Sequence, residues 1–411
     1  MNKKLENIKK YTVSKPLKLD CGKTINNFPL AYETYGKLNE NKDNLIIFPT
    51  RFAGNHNDQD YLIGNNQFLN PEKFFICIPN MFGNGISSSP SNSEGELKGP
   101  SFPRLSINDN VVLQKKLIED VFGVNKVYMV IGWSMGGQQA YEWGAFYPNH
   151  VDRIVPICAH AKTTDHTFVF LEGMYEALTS DPNWKNGNYI KQPNKGKTTM
   201  ARVWAGWAHG QNWYREKLYL KEGYKNPTDV LLDYWDEIYY KKDANDLIHM
   251  IRTWQNHDIS RNSKYKNNYI SALKNIKAQV LLMPGINDLY FPPEDNQIEI
   301  KHLKNAQLSV IRSDYGHYAG AGKSKKDLKF VSPKSGCAVS SKSSVGWEKK
   351  LLVLPEFLGN RKSVNISSIA DLENGFKLTE YFIRKNLSPV KGFQIDHFFR
   401  LRNRILSLNK L

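Results

Sequence analysis

The chain has 411 residues, of which 40% are apolar and 23% charged, and it carries a formal net charge of +16. This composition is typical of a packed globular protein and excludes a disordered or collagen-like chain. No apolar run approaches the roughly 18 residues of a membrane span, and the basic start lacks the apolar stretch of a secretory signal. We therefore expect a cytoplasmic protein with no membrane span.

Short apolar runs bounded by turn-forming residues alternate with longer helical patterns along the first part of the chain. Such runs are typical of strands that are buried on both faces. They lie at Asn44–Phe48, Phe74–Ile78, Val127–Ile131, Ile154–Cys158, Val280–Met283 and Leu308–Ile311. Helices are predicted between Phe102 and Gly123 and from Ser134 to about Tyr147. This alternation predicts an α/β fold with a mostly parallel central sheet and helices on both faces.

The alternation of strand and helix patterns stops between residues 162 and 275. This stretch is rich in Trp, Tyr and polar residues and is predicted to form several helices with no strand between them. An all-helical insertion between two sheet strands is expected to form a lid over the strand ends. The core would then consist of residues 1–161 and 276–322.

The last part of the chain holds most of the excess positive charge. Residues 323–411 contain 18 Lys and Arg against 7 Asp and Glu. Residues 323–370 are predicted to form a basic Ser/Lys-rich loop or linker, and residues 371–411 a helical segment. The basic stretch is not interleaved with stacking aromatics, so we predict a solvated or anion-attracting surface and no nucleic-acid binding.

The strongest chemical motif is Gly132-Trp133-Ser134-Met135-Gly136, which follows a predicted strand and precedes a predicted helix. This is G-x-S-x-G in the context of a nucleophile elbow, where a tight turn exposes the serine hydroxyl above the sheet. The helix that follows points the positive end of its dipole at the same place. Ser134 is therefore predicted to be a catalytic nucleophile; the alternative is a glycine-rich turn with an incidental serine.

A serine hydroxyl needs a base, which in turn needs an acid to orient it. Asp288 and His317 each follow a predicted strand, in the order that this architecture uses. Both therefore belong at the carboxyl edge of the sheet, where α/β proteins place their sites. Asp314 and Asp295 compete as the acid but rank lower, the first because it lies only three residues before His317, the second because it is further from the strand end.

Acyl transfer also requires donors for the oxyanion of the tetrahedral intermediate. We predict the backbone N–H of Met135 as one donor and that of Phe52 as the other, with Arg51 next in order. The histidines lack a metal-binding spacing such as H-E-x-x-H, and the four cysteines show no CxxC pair. No metal and no bound cofactor are therefore predicted.

The chain resembles the homoserine O-acetyltransferase family of the α/β-hydrolase superfamily. The matching stretches are AYETYGKLN at Ala31–Asn39, GPSFPRLSINDNV at Gly99–Val111, GWSMGGQQAYEWGAFYP at Gly132–Pro148, PGINDLYFPPEDN at Pro284–Asn296 and SDYGH at Ser313–His317. The resemblance implies an α/β-hydrolase fold with a helical lid and often a homodimer formed through the lids. It also implies a ping-pong reaction in which acetyl-CoA, as co-substrate, acylates the serine and a small alcohol takes the acetyl group.

The sequence departs from this family directly after the histidine. Enzymes that use homoserine have an aspartate there for the substrate ammonium, whereas this chain has Tyr318-Ala319-Gly320, so homoserine is a doubtful acceptor. Tyr318 and Arg215 are predicted to contact the substrate. The resemblance implies that Arg215 corresponds to the family's carboxylate-binding arginine; the alternative is a surface arginine of the lid. We favour a serine O-acyltransferase; the alternatives are an esterase with water as acceptor and a non-catalytic binding protein that has kept the fold.

Overall fold

The computed structural model describes residues 8–323, 328–331, 338–340, 350–353 and 369–386. The chain divides into two compact units, Met1–Lys323 and Ser324–Leu411. Among the described residues, no helix is both long and apolar enough to cross a membrane.

The first unit is organised around an eight-stranded sheet in the order β1-β4-β6-β5-β7-β8-β9-β10. Strands β5 to β10 pair in parallel, whereas β1 and β4 add an antiparallel edge. The strands of this sheet are β1 Lys9–Tyr11, β4 Leu30–Tyr35, β5 Leu45–Ile47, β6 Phe75–Pro79, β7 Met129–Trp133, β8 Arg153–Ile157, β9 Gln279–Leu282 and β10 Ala306–Leu308. Strands β2 (Leu17–Lys18) and β3 (Thr24–Ile25) form a separate hairpin. The predicted mostly parallel sheet is confirmed.

The central strands are apolar on both faces because both faces are covered. Along β5, Leu45 and Ile47 pack into one buried cluster and Ile46 into another. Successive side chains of a strand point to opposite faces, so an uninterrupted apolar run is what a doubly covered strand requires.

Two core helices pack against this sheet. Helix α1 spans Ile107–Phe122 and begins with a capping box between Ser106 and Asp109. It ends at Gly123, whose φ of 61° is a left-handed conformation that favours glycine. Helix α2 spans Met135–Phe146 and is buried along nearly its whole length. Both helices lie where the sequence predicts them.

The long insertion between β8 and β9 is helical, and no strand lies within residues 162–275, all of which the structure describes. Its helices are α3 Asp165–Thr179, α4 Asn194–Ala208, α5 Gln211–Arg215, α6 Pro227–Asp229, α7 Glu237–Tyr240, α8 Ala244–Gln255 and α9 Tyr269–Lys274, and a π-helical turn at Val230–Asp236 joins α6 to α7. Buried aromatic residues of the insertion share one apolar cluster with Phe52 and Met135 of the core. The insertion therefore closes over the end of the sheet that carries Ser134. Helix α10 (Pro293–Glu299) follows β9 in the core.

The second unit corrects one prediction. Residues 323–370 were expected to form a loop, yet β11 (Leu328–Val331) pairs with β12 (Ala338–Ser340) and β13 (Leu352–Val353) in an antiparallel sheet. Within this Ser/Lys-rich stretch the three strands are the short runs LKFV, AVS and LV, which contain the apolar and β-branched residues that favour strands. The runs are too short to outweigh the overall composition in a sequence-based prediction. A last helix, α11, spans Ile369–Asn386 and covers the start of the segment 371–411 that is predicted to be helical; residues 387–411 lie outside the described residues.

Candidate active site

Ser134 lies in the sharp turn between β7 and α2. Its backbone has φ 59° and ψ −129°, a strained conformation for a residue with a side chain. The turn is this tight because Gly132 and Gly136 touch: a Cβ on Gly132 would lie 2.2 Å from the carbonyl carbon of Gly136. The Ser134 N–H donates to the Ile157 carbonyl at 2.9 Å, which ties the turn to β8. This is the geometry of a nucleophile elbow.

Asp288 and His317 form a buried pair in the segments that follow β9 and β10, with His317 in the short 3₁₀ helix Gly316–Ala321. His317 Nδ1 lies 2.7 Å from Asp288 Oδ2, and the Asp288 side chain is fully buried. The second carboxylate oxygen, Oδ1, accepts the backbone N–H groups of Tyr290 and Phe291 at 2.9 and 3.1 Å. Because both carboxylate oxygens accept hydrogen bonds, the carboxylate has one orientation and holds the imidazole in one plane.

The two competing carboxylates lie elsewhere. Asp314 accepts a hydrogen bond from Asn212 of the lid at 3.2 Å. Asp295 Oδ2 lies 3.6 Å from Nδ1 of a different histidine, His160. The structure therefore places Asp288, and neither competitor, against the ring of His317.

Ser134 and His317 line one small cavity of about 40 Å³. No hydrogen bond joins the serine hydroxyl to the imidazole among the described residues, and such bonds often tighten only when substrate is bound. The other residues that line the cavity are Arg51, Phe52, Trp133, Trp204, Ala208, Tyr239, Trp254, Tyr290 and Tyr318.

The predicted oxyanion donors lie beside this cavity. Met135 is the first residue of α2, so its N–H belongs to the first turn, which has no acceptor within the helix. Phe52 lies in the loop after β5, lines the cavity and stacks on Trp204 of the lid with ring centroids 4.7 Å apart. The roles of Met135 and Phe52 stay predictions.

The two predicted substrate contacts differ in position. Tyr318 lines the cavity, and its hydroxyl lies 2.8 Å from that of Tyr234 in the lid. Burial raises the pKa of both tyrosines above the ordinary value, so both are neutral. Arg215 ends α5, is exposed, hydrogen-bonds to Asn212 and is not among the cavity's lining residues. Its contact with substrate stays a prediction.

The sequence predicts the site residues that follow the strands but not the aromatic side chains that line the cavity. Trp204, Tyr239 and Trp254 come from three lid helices, and Tyr290 comes from the core loop that carries Asp288. The only signal was the high density of aromatics between residues 162 and 275, which does not show which rings point inward. The sequence also does not show that the side chain of Arg51 lines the cavity, because its position depends on tertiary contacts.

One group of metal-type ligands lies next to the site. Atoms of Cys158, Asp288 and His317 lie within 4.8 Å of one another. The carboxylate already accepts from His317 and from two backbone N–H groups, and burial raises the pKa of the Cys158 thiol well above its ordinary value. A metal would need the thiolate, so the group is better suited to holding the imidazole than to binding an ion.

A buried nucleophile elbow on a mostly parallel sheet, with an Asp–His pair at the same sheet edge, defines a class of serine-dependent enzymes. The sequence profile of the α/β hydrolase fold matches residues 44–322. The chain belongs to this family.

Curated relatives include both hydrolases and transferases. A probable esterase of Corynebacterium glutamicum is 34% identical over 73% of this chain and 87% of its own. The ethyl acetate hydrolase of Pseudomonas veronii is 33% identical over 74% and 87%. The homoserine O-acetyltransferase of Trichormus variabilis is 30% identical over 75% and 88%, which supports the resemblance noted in the sequence.

Solved structures agree with this placement. The acetylester hydrolase from Corynebacterium glutamicum superposes with a TM-score of 0.74 and 33% identity, over 76% of this chain and 91% of that chain. The homoserine O-acetyltransferase from Bacillus anthracis gives a TM-score of 0.66 and 26% identity, over 76% and 94%. The comparisons support an enzyme of the α/β hydrolase superfamily without separating ester hydrolysis from acyl transfer.

Proposed function

We propose that the protein is a serine esterase that cleaves esters of short carboxylic acids through an acyl-enzyme on Ser134. One observation carries this proposal: the His317–Asp288 pair, joined at 2.7 Å, lines the same cavity as a serine held in a nucleophile elbow. Ser134 and His317 line this cavity and Asp288 accepts a hydrogen bond from His317, an arrangement that an incidental serine would not require.

The reaction follows from the position of each group. Ser134 Oγ attacks the ester carbonyl carbon, and its proton passes to His317 Nε2. The backbone N–H groups of Met135 and Phe52 hold the oxyanion of the tetrahedral intermediate. As the intermediate collapses, the alcohol leaves with the proton from His317, and the acyl group stays on Ser134. Water then attacks with the help of the same base and releases the acid. Asp288 holds the ring proton on Nδ1 and stabilises the imidazolium that forms twice in each cycle.

The dimensions of the cavity favour a short acyl group. Its volume of about 40 Å³ is bounded by Phe52, Trp204 and Trp254, and each of these rings is at least nine-tenths buried. A long acyl chain would have to displace these rings from a packed cluster, which costs free energy. An acetyl group, with one methyl beyond its carbonyl, requires less displacement of these rings. Among the relatives, the ethyl acetate hydrolase and the acetylester hydrolase are named for acetyl esters.

Transfer of the acyl group to an alcohol is the second candidate, with acetyl-CoA as donor and co-substrate. The similarity to homoserine O-acetyltransferases favours it. The aromatic lid residues over Ser134 also favour it, because an acyl-enzyme shielded from water survives until an alcohol arrives. The same acyl-enzyme serves both reactions, so only the acceptor differs.

A two-part experiment tests the proposal and separates these candidates. The protein is given 4-nitrophenyl acetate or acetyl-CoA, with and without a series of small alcohols, and release of acetate and of acetylated alcohol is measured. Acetate release that does not depend on the alcohol supports hydrolysis, whereas acetylated alcohol as the main product supports transfer.

Substitution of the nucleophile gives the control. Ser134→Ala is expected to lower kcat by at least about 10⁴-fold. Ser101→Ala, a matched change of an exposed serine at the end of the 3₁₀ turn Gly99–Ser101, is expected to leave kcat unchanged. Near-wild-type turnover by the Ser134→Ala protein would show that the nucleophile is misassigned.

A further inference from the structure

The cavity beside Ser134 has one permanently charged lining residue, Arg51. None of the described residues that line it carries a carboxylate. We propose, on the basis of the esterase function above, that Arg51 selects esters whose alcohol portion carries a carboxylate, such as the acetyl esters of hydroxy acids. The charge is assigned to the alcohol portion because the Arg51 side chain is 28% exposed and so faces the solvent side of the cavity, whereas Phe52, Trp204 and Trp254 enclose the acyl group and are buried.

Most N–H donors of the Arg51 guanidinium make no hydrogen bond to the described residues of the protein. Nη1 donates to the Phe52 carbonyl at 3.1 Å, Nη2 lies 3.7 Å from Asp58 Oδ2, and the buried Nε has no partner. Asp58 Oδ2 also accepts the Asn55 N–H at 2.8 Å, as part of a capping box, and so is not devoted to the arginine. A guanidinium has five N–H donors, of which one makes a hydrogen bond here. A substrate carboxylate would supply the acceptors that the protein does not.

The arginine is held in place before any ligand arrives. Its stem crosses closely over Gly54, where a Cβ would lie 2.8 Å from Arg51 Cγ, so a larger residue would displace it. Its guanidinium carbon lies 4.9 Å from the centre of the Trp133 ring, within the range of a cation–π contact. A charge fixed in this way loses little conformational freedom when it binds, which favours affinity.

The charge balance of the cavity also selects against cations. Tyr318 and Tyr234 present neutral hydroxyls that are bonded to each other at 2.8 Å, so neither compensates a positive ligand. An ammonium beside Arg51 would be repelled by the guanidinium. Asp58, 3.7 Å from Nη2, is not among the lining residues, all of which the structure describes, and already accepts the Asn55 N–H. A carboxylate would instead form the forked pair that arginine favours.

A matched pair of substrates tests this selection. 3-Acetoxypropanoate and 3-acetoxypropanamide have the same shape and ester but differ in charge. We expect the native protein to have a kcat/KM about tenfold to hundredfold higher for the carboxylate, as hydrogen bonds to charged groups usually give. In Arg51→Gln this ratio falls to about one, chiefly through KM, and Arg51→Lys retains part of it. Arg104→Gln, which changes an exposed arginine elsewhere on the core, retains the native ratio.

Binding to Ser134→Ala gives a measurement that does not depend on turnover. In calorimetry this protein should bind the carboxylate more tightly than the amide, and Arg51→Gln in the same background should abolish the difference. Such a result without turnover by the native protein would contradict the esterase function and support the role of Arg51. The role is overturned if the amide is preferred, if Arg51→Gln leaves the ratio unchanged, or if it lowers kcat equally for both esters.

Discussion

Replacing Asp288 by asparagine tests how the acid orients the catalytic ring. Asp288 Oδ1 accepts the N–H groups of Tyr290 and Phe291, and Oδ2 accepts from His317 Nδ1. An asparagine has one oxygen and one NH₂ group for these two places. Its oxygen stays with the two backbone donors, because the opposite orientation would set the NH₂ against both of them. The NH₂ therefore donates to Nδ1, which moves the ring proton to Nε2, the atom that must accept the proton of Ser134.

The size of the effect follows from the loss of the correct tautomer. The equivalent change in a chymotrypsin-type triad lowers kcat about 10⁴-fold, or about 5.5 kcal/mol at ~1.36 kcal/mol for each factor of ten. We expect kcat for 4-nitrophenyl acetate to fall about 10³- to 10⁴-fold in Asp288→Asn, with thermal unfolding showing that the variant is folded. Asp295→Asn, which changes only a contact with His160, should stay within about threefold of native activity. A loss of less than tenfold in Asp288→Asn, or a larger loss in Asp295→Asn, would refute this account of the acid.

Two further changes probe the cavity and the lid. Trp204→Leu enlarges the cavity and should raise kcat/KM for 4-nitrophenyl butyrate relative to the acetate by about tenfold. The reason is that each of the two extra methylenes of the butyrate contributes ~0.8 kcal/mol on burial. An unchanged ratio would show that Trp204 does not limit the length of the acyl chain. His209 is buried, its Nδ1 has no partner, and burial lowers its pKa from 6.5 to about 3. The unfolded chain therefore binds a proton below pH 6.5 that the folded chain does not, so the stability conferred by neutral His209 is present above pH 6.5 and is lost as the pH falls toward 3. Between pH 6.5 and about pH 5 the native protein should lose about 2 kcal/mol of unfolding free energy relative to His209→Phe. The exposed His166→Phe should follow the native protein in denaturant titrations at both pH values, and parallel behaviour of His209→Phe would contradict the prediction.

The parallel strands, and the candidate site residues at their carboxyl ends, can be predicted from the sequence alone. Runs such as those around Ile46 and Val130 are apolar throughout because both faces of the sheet are covered, and this pattern is strong in a single sequence. Ser134, Asp288 and His317 could be found because the carboxyl ends of parallel strands meet at one edge. Their order along the chain, serine before aspartate before histidine, then matches the order of a catalytic triad on this fold.

Other parts of the fold depend on contacts that no local pattern records. The antiparallel strand β4 at Leu30–Tyr35 is buried at its start and half-exposed at its end, so it shows neither a continuous apolar run nor a clean alternation. The strands of the second unit are only two to four residues long and lie within a Ser/Lys-rich composition that favours a loop. The contribution of Arg51 depends on the way its stem crosses Gly54, which is a tertiary contact.

The backbone conformation at Ser134 lowers the thermal stability of the protein while it supports catalytic activity. Its φ of 59° and ψ of −129° suit glycine, and holding a residue with a side chain there costs about 1–3 kcal/mol. Ser134→Gly would relieve that cost and yield a more heat-resistant but inert protein. Selection for thermal resistance alone, without a requirement for turnover, would therefore drive this position toward glycine.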